Sequence, residues 1–145
     1  MKYTYLLINI FSISIPFIFS FHKKLNFYRS WSSFWPAIFI TTVVFITWDI
    51  FYTDLGIWGF NKAYLIGIEI AGLPLEEWLF FICIPYASVF TYFSLKTLLP
   101  KTGIEKVEKP ISWILVIVFF TAGILSYPKL YTFVTFISTA LFLLF

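Results

Sequence analysis

An all-α membrane helix bundle of about five spans is the fold class this sequence predicts, and three observations carry it. Of its 145 residues, 61% are hydrophobic and only 12% charged, about half the charged share of a soluble domain. Mean hydropathy is +0.92. The apolar residues fall into five runs separated by short charged or turn-forming segments, as a polytopic protein requires.

The elements follow in order. Residues 3–21 form a first span, apolar except for Thr4, Asn9 and three serines. Lys2 is the only charge before it and no small-x-small cleavage site follows, so the run reads as a retained span and not a signal peptide. Residues 22–30 are a short loop with Lys23, Lys24 and Arg29; residues 31–52 are a second span with Pro36 near its start and Asp49 near its end. The longest connection, 53–73, mixes Gly56, Gly59, Gly67 and Gly72 with Trp58, Phe60 and Tyr64. It is too apolar for a solvated linker and is expected to fold back as an ordered cap. Residues 76–99 are a third span with a kink expected at Pro85. Residues 100–110 are a polar loop with Lys101, Glu105, Lys106, Glu108 and Lys109, and 111–126 a short fourth span. Tyr127-Pro128-Lys129 turns the chain, and 130–145 begins a fifth span.

Composition excludes several functions. One cysteine, Cys83, allows neither an intrachain disulfide nor a cysteine metal cluster. The single His22 lies beside Lys23 and Lys24 and reads as an interfacial loop residue, so no metal site is expected. No G-x-G-x-x-G follows a strand-like run, so neither flavin nor any other cofactor is expected. No basic cluster is interleaved with exposed aromatics, which argues against nucleic acid. Aromatics reach 24%, far beyond an interfacial belt, and point to an aromatic-lined interior.

The distribution of Lys and Arg sets the expected orientation. The first and third loops, with the adjoining Lys96, hold Lys23, Lys24, Arg29, Lys96, Lys101, Lys106 and Lys109; the N-terminus and the other loops hold Lys2, Lys62 and Lys129. The positive-inside bias therefore puts the first and third loops in the cytoplasm and the N-terminus outside, in the cell membrane. Asp49 then lies roughly 5 Å from the outer end of the second span at 1.5 Å rise per residue. Glu76 and Glu77 open the third span at the same end, and Asn9 falls near this level. A lone glutamate there would read as a partner for the positive helix N-terminus. Two of them, with an aspartate at matching depth, read as a functional site, since ionisable groups inside a membrane are costly.

Crowded carboxylates in a low-dielectric region cannot all ionise, so the cluster is expected to keep at least one proton. Trp48, Tyr52, Trp58, Trp78, Phe80 and Phe81 stand around it in sequence, and aromatic faces attract cations by roughly 0.5–2 kcal/mol. An acid in a water-poor aromatic chamber suits protonation of a carbon–carbon double bond and shelter of the resulting carbocation. Adjacent glutamates on a helix differ by about 100° in direction. The stripe Glu76, Phe80, Cys83, Ala87 and Ser94 suits close helix packing, and Glu77, Phe81, Ile84, Ser88 and Tyr92 a roomier line. Glu76 is therefore expected to be buried and more easily kept protonated, with Glu77 facing the chamber.

Trp48-Asp49, the run Leu55-Gly56-Ile57-Trp58-Gly59-Phe60-Asn61, Tyr64-Leu65 and Pro74-Leu75-Glu76-Glu77-Trp78 together resemble the non-flavin lycopene cyclase domain family of integral membrane carotenoid cyclases. The resemblance covers about residues 1–99. The family signature is proline, any residue, glutamate and a second acid, in each of two tandem three-span repeats; Pro74, Glu76 and Glu77 match it. The resemblance implies that 1–99 is one repeat and 100–145 the incomplete start of a second. It implies cyclisation of the ψ end groups of lycopene, or a related acyclic carotenoid, to β-ionone rings without net redox change. Glu76, Glu77 and Asp49 would be the catalytic groups, with Glu76, the glutamate that the motif fixes, as the less replaceable residue and the proton donor. Either the chain is truncated, or a second cyclase repeat or subunit supplies the other acidic motif.

Two other classes stay open from sequence. A proton-relay or small transporter subunit also places carboxylates in the membrane, but would carry a continuous polar path. The inner halves of the second and third spans hold little beyond Ser32, Ser33, Ser88, Thr91 and Ser94. A non-catalytic membrane subunit is the other alternative.

Overall fold

The computed structural model describes residues 3–99 and 105–144, with the backbone alone over 105–108. Five α-helices occur among them: α1 (Thr4–Phe19), α2 (Trp31–Asp54), α3 (Leu75–Leu98), α4 (Glu105–Leu125) and α5 (Leu130–Phe142). The chain divides into two compact units, Met1–Pro100 and Lys101–Phe145.

In the first unit α3 packs against both α1 and α2. Asn9 and Ser20 of α1 meet Glu76 and Tyr86 of α3 in that order, so these helices run the same way. Phe34 meets Tyr86 while Thr42 meets Phe81, so α2 runs against them. The core lies toward the 22–30 end, where Leu25, Phe27, Phe34, Ile38, Tyr86 and Phe90 are buried together. The aromatic interior expected from composition is densest here, at the opposite end from the carboxylates. Tyr86 is its centre. Ser20 Oγ donates to the Pro16 carbonyl, so the Tyr86 hydroxyl donates to Ser20 Oγ and accepts from Trp31 Nε1. That chain satisfies every polar atom introduced into the aromatic cluster, as burial demands.

Proline placement explains how two helices are tied. Pro85 lies inside a continuous α3, and its missing N–H leaves the Phe81 carbonyl without its usual i+4 donor. Thr42 Oγ1 of α2 donates to that carbonyl at 3.2 Å. α2 stops where Gly56 takes φ +66°: Gly56 N donates to Thr53 O and Ile57 N to Tyr52 O, the paired bonds of a Schellman end.

The connection over 53–73 is ordered. It holds a 3₁₀ turn at Lys62–Tyr64, begun by Asn61 Oδ1 accepting from Ala63 N, and a short hairpin. The hairpin pairs β1 (Glu69–Ile70) antiparallel with β2 (Leu73–Pro74). Ala71 and Gly72 form its two-residue turn with φ of 51° and 79°, as the strand twist prefers. Leu73 is fully buried and Leu65 nearly so.

In the second unit α4 and α5 pack as a hairpin joined by a turn in which Lys129 N donates to Ser126 O. Gly123 permits their close approach: a Cβ there would lie 2.8 Å from Ile137 Cδ1. Of the polar loop expected over 100–110, residues 100–104 lie outside the described residues. The rest is helix, since α4 opens at Glu105 and runs through Pro110. Glutamate and lysine are good helix formers, and Pro110 removes one backbone bond without ending the helix.

The stretches 27–54 and 75–98 are long and apolar enough to cross a membrane, while α1, α5 and the apolar part of α4 are shorter.

Candidate active site

Three segments converge where α1 and α3 begin and α2 ends. Asp49 stands in the second-last turn of α2 and is 7% exposed; Glu76, in the first turn of α3, is 2% exposed. Glu77, one residue on and about 100° around the helix, is half-buried, and its carboxyl group lies beside that of Asp49.

Glu76 is engaged differently. Its Oε1 accepts from the backbone N–H of Ile66 at 2.6 Å, and its carbonyl accepts from Asn9 Nδ2 at 2.8 Å. Asn9, 3% exposed, is thereby held on α3 from α1. Two further bonds fasten the 53–73 segment to the same turn: Leu75 N donates to Ile68 O at 2.9 Å and Trp78 Nε1 to Ile70 O at 3.2 Å. The cap is thus stitched to the head of α3 through residues 66, 68 and 70, every second position, as an extended segment allows.

The candidate aromatics divide into two groups. Trp48, Tyr52 and Trp58 pile up as tilted rings, with centroids 5.0 Å apart for Trp48–Tyr52 and 5.5 Å for Tyr52–Trp58. Trp58 comes from the cap and donates its Nε1 to Thr53 Oγ1, so these rings carry the cap onto the helix that bears Asp49. Phe80 and Phe81 lie edge to face one turn into α3, with Phe81 stacked on Phe45 of α2. Phe80 is 39% exposed, and Trp78 is occupied with the hairpin. Tyr64 is exposed on the cap. Among the described residues no cluster of His, Cys, Asp or Glu could hold a metal ion.

Sequence reasoning did not find the Ile66 amide, because a backbone donor leaves no trace in residue identity. It also missed Thr42. There a signal existed: a proline inside a span exposes a known carbonyl, and a hydroxyl on a neighbouring helix is its natural partner.

The class defined so far is an all-helical protein with a partly buried carboxyl pair beneath an ordered, aromatic-bearing cap. Residues 2–95 match the family model described as Lycopene cyclase. The match covers well over half of the chain and the whole of the site, and the chain belongs to the lycopene cyclase family. The comparisons with curated proteins and with solved structures gave no match.

Proposed function

We propose that this chain is a membrane-embedded carotenoid cyclase that converts ψ end groups of lycopene, or of a related acyclic carotenoid, to β-ionone rings. The observation that carries the reading is the pairing of the Asp49 and Glu77 side chains at the head of α3 in a protein of this family. Protonated on one of its carboxyl groups, the pair donates a proton to the terminal double bond, leaving a tertiary carbocation. An internal double bond closes on the cation and moves the charge into the new ring. Loss of a ring proton forms the ring double bond, and the two carboxylates take that proton back. One proton enters and one leaves, so no redox cofactor is required and the pair ends as it began. The Trp48, Tyr52 and Trp58 rings beside Asp49 supply π faces for the cation, and the cap limits water that would quench it.

Membrane residence is supported by what the first unit leaves exposed. Only 22% and 17% of the most apolar stretches within 27–54 and 75–98 are buried, and Phe11, Ile15, Ile18, Phe39 and Ile40 are each more than 60% exposed. Helices that are apolar all round and uncovered need lipid around them. The relay or transporter reading finds less support. Thr41, Thr47, Thr91 and Thr97 each donate to the carbonyl four residues back on their own helix, and Thr42 closes the Pro85 gap. These five threonine hydroxyls are committed to backbone carbonyls.

The family signature comes in two repeats and this chain shows one acidic motif, so a second cyclase repeat or subunit is the proposed partner. The test is expression in lycopene-accumulating cells with and without a second acidic repeat, followed by pigment chromatography. Ring formation that depends on Asp49 and Glu77 is expected. A correctly inserted chain that forms no rings even with the second repeat would leave it a non-catalytic subunit.

A further inference from the structure

Glu76 is the least exposed acidic residue among the described residues, yet its bonds go to scaffold and not to the Asp49–Glu77 pair. It joins three separate stretches of chain: α1 through Asn9, α3 on which it sits, and the cap through Ile66. The Ile66 bond is short, as hydrogen bonds to carboxylates are. It is also the first of the three bonds, at 66, 68 and 70, that hold the cap to the head of α3. Glu76 Oε2 and Asn9 Oδ1 are both buried and have no partner among the described residues. This polar seam therefore has spare acceptors and can take a further donor without losing a bond.

We infer that Glu76 is a positioning residue, a latch that fixes the 53–73 cap over the reacting pair, and not the proton donor. Removing its side chain strands the Ile66 N–H, frees the cap at its deepest anchor, and loosens the Trp58–Tyr52 contact that covers the Asp49 helix. Asn9, donating to the Glu76 carbonyl, sets the first turn of α3 and so the direction of both glutamates. A glutamine at 76 keeps an oxygen for Ile66 and places an N–H₂ where Oε2 now has no partner. A latch role therefore tolerates glutamine, whereas a donor role does not. The inference rests on Asp49 and Glu77 being the reacting pair.

The test pairs two readouts on the full chain. One is hydrogen exchange over residues 53–73 in lipid nanodiscs; the other is ring formation in lycopene-accumulating cells supplied with a second acidic repeat. E76A is expected to speed exchange around Ile66 by about tenfold or more, the scale of a lost bond to a carboxylate, and to lose ring formation. E76Q is expected to keep the protection and most of the ring formation. E77Q is expected to keep the protection and lose ring formation. The latch is overturned if E76A leaves exchange unchanged, or if E76Q keeps the protection but forms no rings, which would make Glu76 the donor. If D49N and E77Q both cyclise normally, the assignment of the reacting pair fails. The exchange contrast between E76A and E76Q then still decides the latch.

Discussion

At the scale of single residues, neighbours in sequence have divided their work. Glu76 and Glu77 differ by one position, and the helix turns that into two environments: one carboxyl group is taken up by a backbone amide and the other lies against Asp49. On the proposal that Asp49 and Glu77 act as one reacting pair, substitutions in them should not add. We expect D49N and E77Q each to lower ring formation by about 10²-fold or more, the usual scale for a lost general acid. The double substitution should be no worse than the poorer single one. Pigment analysis at matched expression reads this directly. Multiplying losses in the double variant would mean that the two carboxyl groups serve separate steps.

At the scale of elements, two contacts carry predictions. Thr42 supplies the donor that Pro85 withholds from the Phe81 carbonyl. T42V should therefore lower the thermal midpoint in detergent by the equivalent of about 1 kcal/mol, with T42S close to unsubstituted. An unchanged T42V midpoint would show that this bond does not hold α2 to α3. In the cap, Ala71 sits at φ 51° in the hairpin turn, a conformation costing an L-residue roughly 1–2 kcal/mol. A71G removes that strain, offset by glycine's greater freedom when unfolded. Slower hydrogen exchange over 66–74 is expected, and faster exchange would rule out strain at this turn.

For the whole molecule, the testable statement is orientation. Lys24 in the 22–30 loop and Lys62 in the cap are both exposed, and they lie at opposite ends of the first unit. The positive-inside bias puts the cap outside. In a Cys83→Ser background, with the one native thiol already buried, a cysteine at position 62 should react with an impermeant maleimide in intact cells. A cysteine at position 24 should react only after permeabilisation. Labelling of both from the same side would remove the spanning arrangement, and the reverse pattern would place the cyclising site at the cytoplasmic face.

Local chemistry determined a good deal by itself. The helices were legible because long apolar runs have few alternatives to helix, and their ends because glycine and proline punctuate the chain at Gly56 and Pro74. The meeting of Asp49 with the glutamates followed from counting rise along two helices joined by one connection, and the family from the acidic motif and the glycine-aromatic run. The start of α4 was misplaced by six residues, since Pro110 reads as a boundary when its neighbours are unknown. Only tertiary structure decided which glutamate reaches Asp49, because a 100° difference in direction has meaning only once α1, α2 and the cap occupy particular sides of α3. It alone placed the densest aromatic cluster at the far end, around Tyr86, where composition had no position to offer. It alone supplied the Ile66 amide as a partner for Glu76, since every residue but proline carries that donor and only folding brings one of them within 2.6 Å of the carboxylate.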